Sequence, residues 1–466
     1  MFRNGENINL KKTPVKNIIL LIFSLGIFFI PFNSWSGISF MGEFYRDSCI
    51  IFFIFTFFFI ITSGSFKMPL SNLIFQLLIV FISWCLFSFM FNINDALDYK
   101  FKQTTGIVRF IRQYGSLIIA SAFIPLTFFN VLKKFDLNFL LKLIRKTILA
   151  SLVIVLIYSI IEVLIVKFNM IYLKKSLLNL FDYFPFTEAK IDLRLKRISS
   201  VSFEPPALGT YLLSISAWMF SYVLTEKKKW KYLPTIAVLF LAYISGSRAA
   251  FFIVLVQLIV ASYLFVIKTV SVKTVYRVLI MAFFSFTFVA IIYNKQISTL
   301  VEKELASFKI DNSKHSLSNK SRFGIQQAMF RVFVQNPISG VGYGLQAFES
   351  SRMYPVWAKK DNWEFRLKYL NQNDKRFPPG YNLYIRILSE TGVVGFLIFG
   401  MFLLHIFLWC FNNLKSKNET IVFIIFISMI GFSLNWLKMD SFRIYLFWLC
   451  LAILWILDAN KYPYEK

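Results

Sequence analysis

An all-α membrane protein of about twelve transmembrane helices, with two larger loops on one face, follows from three observations. Apolar runs of roughly 16 to 23 residues recur along the chain, the length that crosses about 30 Å of hydrocarbon as a helix satisfying its own backbone. Only 16% of the 466 residues are charged against 57% hydrophobic, well under the about 25% charged of soluble domains. The Lys and Arg residues gather in short turns between the runs rather than on one amphipathic surface. The net charge of +27 therefore reads as topology signal and not as a nucleic-acid footprint.

The runs fall at 17–35, 48–64, 70–92, 115–131, 147–166, 207–225, 232–246, 249–267, 275–293, 383–411, 420–437 and 441–459. They divide the chain into helices one to five (1–167), a first large loop (168–206), helices six to nine (207–293), a second large loop (294–382) and helices ten to twelve (383–466). The first run follows a basic N-terminus, but no small-residue cleavage site stands out, so it reads as a retained helix. Orientation follows the basic short connections: Lys11, Lys12 and Lys16; Lys133, Lys134, Lys142, Arg145 and Lys146; Lys227, Lys228, Lys229 and Lys231; Lys268, Lys273 and Arg277; Lys415 and Lys417. All share one side, which makes both termini cytoplasmic. The longer connections at 93–114, 168–206 and 294–382 take the outer side although they too are basic, either because something anionic is met there or because they are solvated loops. Cys49, Cys85, Cys410 and Cys450 lie inside runs and His315 and His405 lie far apart, so no spacing resembles a metal or haem site.

Four polar stretches interrupt the apolar runs. In the first, Glu204 precedes Pro205-Pro206, which suits a first helical turn where a missing N–H costs nothing. Its carboxylate is either a helix cap favoured by the macrodipole or a base at the outer face. In the second, Arg248 opens the eighth run on the outer side, against both the helix dipole and the positive-inside trend. The free amides of Ser245 to Arg248 with that guanidinium suit a phosphate, and the alternative is a snorkelling or ion-paired arginine.

The third stretch is SRFGIQQAMFRVFVQNPISGVGYG. Ile325, Ala328, Met329, Val332 and Phe333 repeat at helical spacing, and Asn336-Pro337 ends the helix. Arg322 and Arg331 are nine residues apart and point in opposite directions on one ideal helix. The wheel puts Arg322 on the inward side as a buried ligand and Arg331 nearer the polar side. Gly340-Val341-Gly342-Tyr343-Gly344 has no strand or ribose-binding acid beside it and reads as a tight turn with glycine at positive φ. In the fourth stretch, Asn382, Arg386, Ser389 and Glu390 form one polar stripe, which must face protein or water. It is a working face or a structural Arg386–Glu390 pair, and Gly392 and Gly395 permit close packing. Under one topology Glu204, Arg248, Arg322, Asn382 and Glu390 share the outer leaflet, which suits a lipid-linked diphosphate from the bilayer and a sugar acceptor from water.

SFEPPALG, GSRAA, SRFGIQQAMF…NPISGVGYG and YNLYIRILSETGVVG resemble, in this order, motifs of bacterial O-antigen polymerases of the Wzy type and the related O-antigen ligases, over roughly residues 195–400. The resemblance implies a GT-C-like, metal-independent membrane glycosyltransferase with no cofactor. Its donor would be the growing glycan on undecaprenyl diphosphate and its acceptor a new lipid-linked repeat unit, with membrane lipid around it, a chain-length regulator as a further partner and no nucleic acid. Arg248, Arg322 and Arg331 would hold the diphosphate, Glu204 or Glu390 would take the acceptor proton, and Arg197, Tyr381, Asn382 and Arg386 would position substrate. Arg331, ten residues and Gly342 resemble the polymerase loop motif, whereas Arg197 has eleven residues before Gly209, one too many. Ligases of this family usually carry His where this chain has Tyr381, and the difference favours a polymerase in the bacterial inner membrane with its site facing the periplasm. A ligase is one alternative. A lipid-linked oligosaccharide flippase is the other, and it calls for a two-sided polar path and often repeated halves.

Overall fold

The computed structural model describes residues 14–188, 191–193, 196–269, 316–416 and 418–459. The expected ninth run at 275–293, the first part of the second large loop (294–315) and both termini lie outside the described residues. Among the described residues thirteen helices have ten residues or more: α1 (Pro14–Phe28), α2 (Ser48–Thr62), α3 (Leu73–Phe91), α4 (Gly106–Leu132), α5 (Leu137–Val166), α6 (Leu173–Tyr183), α7 (Pro205–Thr225), α8 (Leu233–Ile244), α9 (Arg248–Thr269), α10 (Ser316–Gln335), α11 (Leu383–Asn413), α12 (Glu419–Asn435) and α13 (Tyr445–Ala459).

Eleven of the expected runs each meet one of these helices, and α6 and α10 lie in the two stretches expected as large loops. Six helices, namely α3, α4, α5, α7, α9 and α11, are long and apolar enough to cross a membrane, while α1, α2, α12 and α13 are apolar but shorter. Large apolar side chains such as Phe55, Ile157, Phe252, Ile259 and Leu408 face outward. Soluble monomers do not expose contiguous surface of this kind. The chain is an integral membrane protein.

The core is centred on α13, whose residues from Tyr445 to Leu457 are all buried, as expected for a helix that is apolar on every side. It packs on the last part of α4 and on α12. Within α4 the turn Ile119–Phe123 is π-helical just before Pro125, where the missing N–H and the ring disfavour a regular α-turn. Hydrogen bonds separate two ends of the bundle. At one end Ser202 Oγ donates to Pro31 O (3.0 Å) and Phe203 N to Asn33 Oδ1 (2.9 Å). At the other, Asn72 Nδ2 and Trp409 Nε1 both donate to Asp458 (2.6 and 2.8 Å), and Lys133 Nζ donates to Ser65 O (3.2 Å).

Helix α11 breaks at Gly392, which has φ +66° and ψ −169°. A Cβ there would sit 2.0 Å from Ile338 O. The glycine turn after α10 docks into this break: Val341 N donates to Ser389 O (3.1 Å), Gly342 N to Glu390 O (3.0 Å), and Val393 N to Pro337 O (2.8 Å). Gly340, Gly342 and Gly344 all have positive φ, as a tight turn requires.

The rest of the second loop packs a small core of Ile325, Ala328, Met329, Tyr354, Ala358, Phe365 and Tyr369. It is pinned by Lys102, at the tip of the hairpin Lys100–Phe101/Thr104–Thr105. The Lys102 side chain is fully buried, and its ammonium donates to the carbonyls of Lys368, Asp374 (3.0 Å) and Arg376 (2.9 Å), one for each of its three hydrogens.

Two outcomes follow. Gly392→Ala should cost about 2 kcal/mol or more, from the left-handed backbone and the collision with Ile338, whereas Gly400→Ala, whose Cβ would meet nothing, should leave the thermal midpoint in detergent unchanged. Lys102→Met leaves three carbonyls without a donor, at about 1–3 kcal/mol for each that stays buried. Limited trypsinolysis should then cut after Lys368 or Arg376 much faster than in the wild type, and an unchanged digestion pattern would refute the pinning role.

Candidate active site

Glu204 occupies the N-cap position of α7 with extended backbone (φ −160°, ψ 158°), yet its carboxylate makes no cap hydrogen bond. It lies instead in the field of Arg197. Arg197 Nη2 donates to Gly246 O at 3.2 Å, and its stem rests on Gly246, which has φ +68°. Gly209 brings α7 onto the start of α9, since a Cβ there would sit 2.6 Å from Ala250 Cβ and 3.0 Å from Ser247 Oγ. Glu204 and Arg248 therefore begin neighbouring helices at one end of the bundle.

Arg322 joins them from α10. Burial and the nearby Arg322 cation lower the Arg197 pKa below the ordinary guanidinium range, Arg248 adds to the effect, and Glu204 opposes it. The Arg322 guanidinium stands 5.3 Å over the Tyr381 ring, whose hydroxyl is 2.6 Å from that of Tyr369. Lys438, in the connection between α12 and α13, is half-buried. Burial, with Arg322 beside it, pushes its pKa down to about 8. Arg197, with Arg248 and Arg322 near it, lies in the field of two carboxylates, Glu204 and Asp192, and Lys438 adjoins Arg322, so cations outnumber carboxylates in this group and repel one another.

A second polar layer is built on α11. Asn382 caps the helix by accepting from Ile385 N at 3.2 Å. Arg386 is buried and fully engaged: Nε donates to Glu390 Oε2 (3.1 Å), Nη1 to Asp440 O (2.8 Å) and Nη2 to Gln113 Oε1 (2.7 Å). Asp440 in turn accepts from Gly380 N at 2.6 Å. Gln113 donates to Glu43, which also accepts from Ser116 Oγ at 3.0 Å. Burial opposes the Glu43 charge, but Arg386, Arg109, Arg443 and the Gln113 bond together hold its carboxyl below the usual range. These groups enclose a cavity of about 10 Å³, room for about one water molecule. With all three guanidinium nitrogens of Arg386 spoken for, the structural reading of the Arg386–Glu390 pair is the one the geometry fits.

Two expectations are corrected. Arg322 is exposed, not buried. The face of α10 that meets the loop core is set by Ser321, bonded to Asn362 (2.9 Å), and by Gly324, where a Cβ would be 2.3 Å from Ala358 Cβ, and this rotates Arg322 outward. The amides before Arg248 are not free either: those of Ser245 and Gly246 donate to Leu241 O (2.9 Å) and Tyr243 O (3.4 Å), and that of Ser247 to Ser245 Oγ (3.2 Å). Helix α10 is unbroken, so Arg322 and Arg331 are about 13 Å apart along it and face opposite ways. Arg331 is exposed and donates to Met353 O at 3.4 Å.

Sequence reasoning missed Lys438, Asp440, Arg443, Glu43 and Gln113. The signal for the first three was the charged string KMDSFR between two apolar runs, hidden by drawing those runs almost end to end.

An apolar bundle with a cluster of cations beside Glu204 and Asp192 at one end, partly walled by a loop locked into a broken helix, defines a polytopic membrane protein. Residues 210–400 match the family model described as O-Antigen ligase. The match is consistent with the O-antigen ligase/polymerase superfamily and with a membrane enzyme of that type. No curated protein matches the chain. Arg248, Arg322 and Arg331 fall inside the matched stretch, and Arg197, Glu204 and Lys438 fall outside it.

With a pKa depressed to about 8, Lys438 carries its charge below that pH and loses it as pH rises through it. An anion at the cluster therefore meets four cations at pH 7 and three at pH 9. The affinity of wild type for inorganic pyrophosphate, relative to that of Lys438→Gln, should fall severalfold between these values by calorimetry. A ratio that does not change with pH would remove Lys438 from the cluster.

Proposed function

We propose that the protein polymerises undecaprenyl-diphosphate-linked oligosaccharide repeat units into an O-antigen or capsule-like polysaccharide at the outer face of the inner membrane. The observation that carries this reading is the convergence of Arg197, Arg248 and Arg322 near Glu204 at one end of the bundle. A lipid diphosphate moving along the bilayer surface would meet the cations while its glycan stays in water.

In this scheme the acceptor hydroxyl oxygen attacks the anomeric carbon of the donor glycan. The bond from that carbon to the diphosphate oxygen breaks, the electron pair leaves on the lipid diphosphate, and the hydroxyl proton passes to the Glu204 carboxylate. Arg197, Arg248 and Arg322 neutralise the charge that develops on the departing diphosphate. Arg331, facing away from Arg322, serves the other end of the substrate. Glu390, held by Arg386, fits the scaffold better than the base. Both termini lie in the cytoplasm in this orientation, and a chain-length regulator is a fitting partner.

The printed description of the matched family, O-Antigen ligase, supports a second reading: transfer of finished glycan to a lipid A core or another acceptor. Tyr381, standing where the related ligases usually carry His, weighs for the polymerase. A deletion strain separates them, since single-repeat glycan at the surface means a polymerase and accumulated long lipid-linked chains mean a ligase.

Arg248→Ala and Arg322→Ala should each lower polymerisation of a defined lipid-linked repeat by about 10²–10³, and Glu204→Gln by about 10²–10⁴. All three residues are exposed, so protein abundance should hold. Loss of the protein from the membrane with normal activity per molecule would overturn the assignment.

A further inference from the structure

At the end of the bundle opposite the candidate active site, Arg145 points to a second anion. It lies on α5 and is only 4% exposed. Its guanidinium is stacked 3.8 Å over the Tyr222 ring on α7, and Tyr222 packs on Trp230 at 5.3 Å. Nε and Nη2 are both buried and neither has a hydrogen-bond partner. These two nitrogens form one edge of the guanidinium fork, whose parallel N–H bonds match two oxygens of a carboxylate or phosphate. Arg376 uses the same edge to clasp Asp374, with Nε at 3.0 Å and Nη2 at 2.7 Å from the carboxylate oxygens. Glu226 lies within the electrostatic reach of Arg145 but makes no ion pair with it among the described residues.

A buried cation whose best donor edge is unused is expensive, and such charges are normally paired. The depth of Arg145 identifies the missing partner. The apolar run of α5 begins at 147 and ends at 166, a rise of roughly 30 Å that fills the hydrocarbon layer. Arg145 therefore sits at its boundary, where lipid phosphates lie. Lys142 and Lys146 are exposed on the same turns of α5, and Lys229 and Lys231 follow Tyr222 in the connection to α8, which packs against α5. Thr235 near the start of α8 also has a buried hydroxyl without a partner.

We propose that Arg145, between α5, α7 and α8, binds the phosphate of an anionic membrane phospholipid, with Lys142 and Lys146 adding charge at the rim. The site lies away from the glycan-handling residues and stands whether or not the polymerase reading does.

The test is lipid retention by the full-length protein, measured by native mass spectrometry after delipidation and titration with phosphatidylglycerol or phosphatidylcholine. Wild type should bind phosphatidylglycerol at least tenfold more tightly than phosphatidylcholine. Arg145→Gln should lose that preference, and Arg145→Lys, which keeps the charge without the parallel edge, should fall between. Lys142→Gln/Lys146→Gln, altered only at exposed positions, should weaken binding severalfold and decides the matter if Arg145→Gln does not fold. Equal binding of both lipids by wild type, or undiminished preference in folded Arg145→Gln or in the double lysine variant, would overturn the proposal. Displacement of bound lipid by millimolar inorganic phosphate would assign the site to free phosphate and overturn the lipid reading.

Discussion

Where α11 breaks at Gly392, the carbonyls of Ser389, Glu390 and Thr391 lose their helical partners, and the interior of a membrane protein holds no bulk water to replace them. The protein meets this constraint with donors from three directions. Val341 and Gly342 amides come from the glycine turn, Ser88 Oγ reaches Glu390 O at 2.8 Å, and Trp84 Nε1 reaches Thr391 O at 2.9 Å. The bonds that repair the helix also fasten α10, with Arg322 and Arg331, onto α3 and α11. The break is thus the joint between the loop and the membrane domain, and the position of Arg322 depends on it.

The two polar layers answer to different physics. Around Arg386 each guanidinium nitrogen meets an acceptor, and Glu390, Glu43, Arg443 and Asp47 set charges of opposite sign beside one another. The neutral Gln113 bridges Arg386 to Glu43, so the layer is largely satisfied, although Arg109 Nε is buried without a hydrogen-bond partner among the described residues. Around Glu204 and Asp192 the cations outnumber the carboxylates, and several of them keep contact with solvent. One loop spans both layers. Asp440 and Arg443 belong to the satisfied layer, and Lys438, two residues before Asp440, belongs to the cationic one.

Much of this was legible in the chain because it depends on local periodicity. The end of α10 at Gln335, the buried stripe Ile325, Ala328, Met329 and Val332, and the positive φ of the glycine turn are each fixed by a few consecutive residues. What failed was long-range. A helical wheel shows that one face of α10 is apolar but not which edge of it the partners Asn362 and Ala358 will take, so Arg322 was turned the wrong way. Gly392 read as a packing glycine because the loop that breaks α11 there lies some fifty residues upstream. Arg197 missed its family spacing by one residue, yet the positive φ of Lys196 and Ser200 folds the loop so that it reaches Gly246. The expected twelve spans rested on counting apolar runs, and a 12-residue helix such as α8 is too short to carry that inference by itself.

The cationic cluster is held open by its surroundings. Like charges brought together repel, and in a flexible loop they would separate into solvent, so that a ligand would have to pay for ordering them again. Here the Tyr369–Tyr381 hydroxyl pair fixes the ring under Arg322, the Gly246 carbonyl fixes Arg197, and Asp440 ties the loop that carries Lys438 to Gly380. The folding energy of the buried layer thereby maintains the repulsion of the exposed one. On the proposed function an incoming diphosphate would relieve that repulsion without first organising its binding groups, and the stiffness of the Arg386 layer would set how much of the electrostatic gain appears as binding.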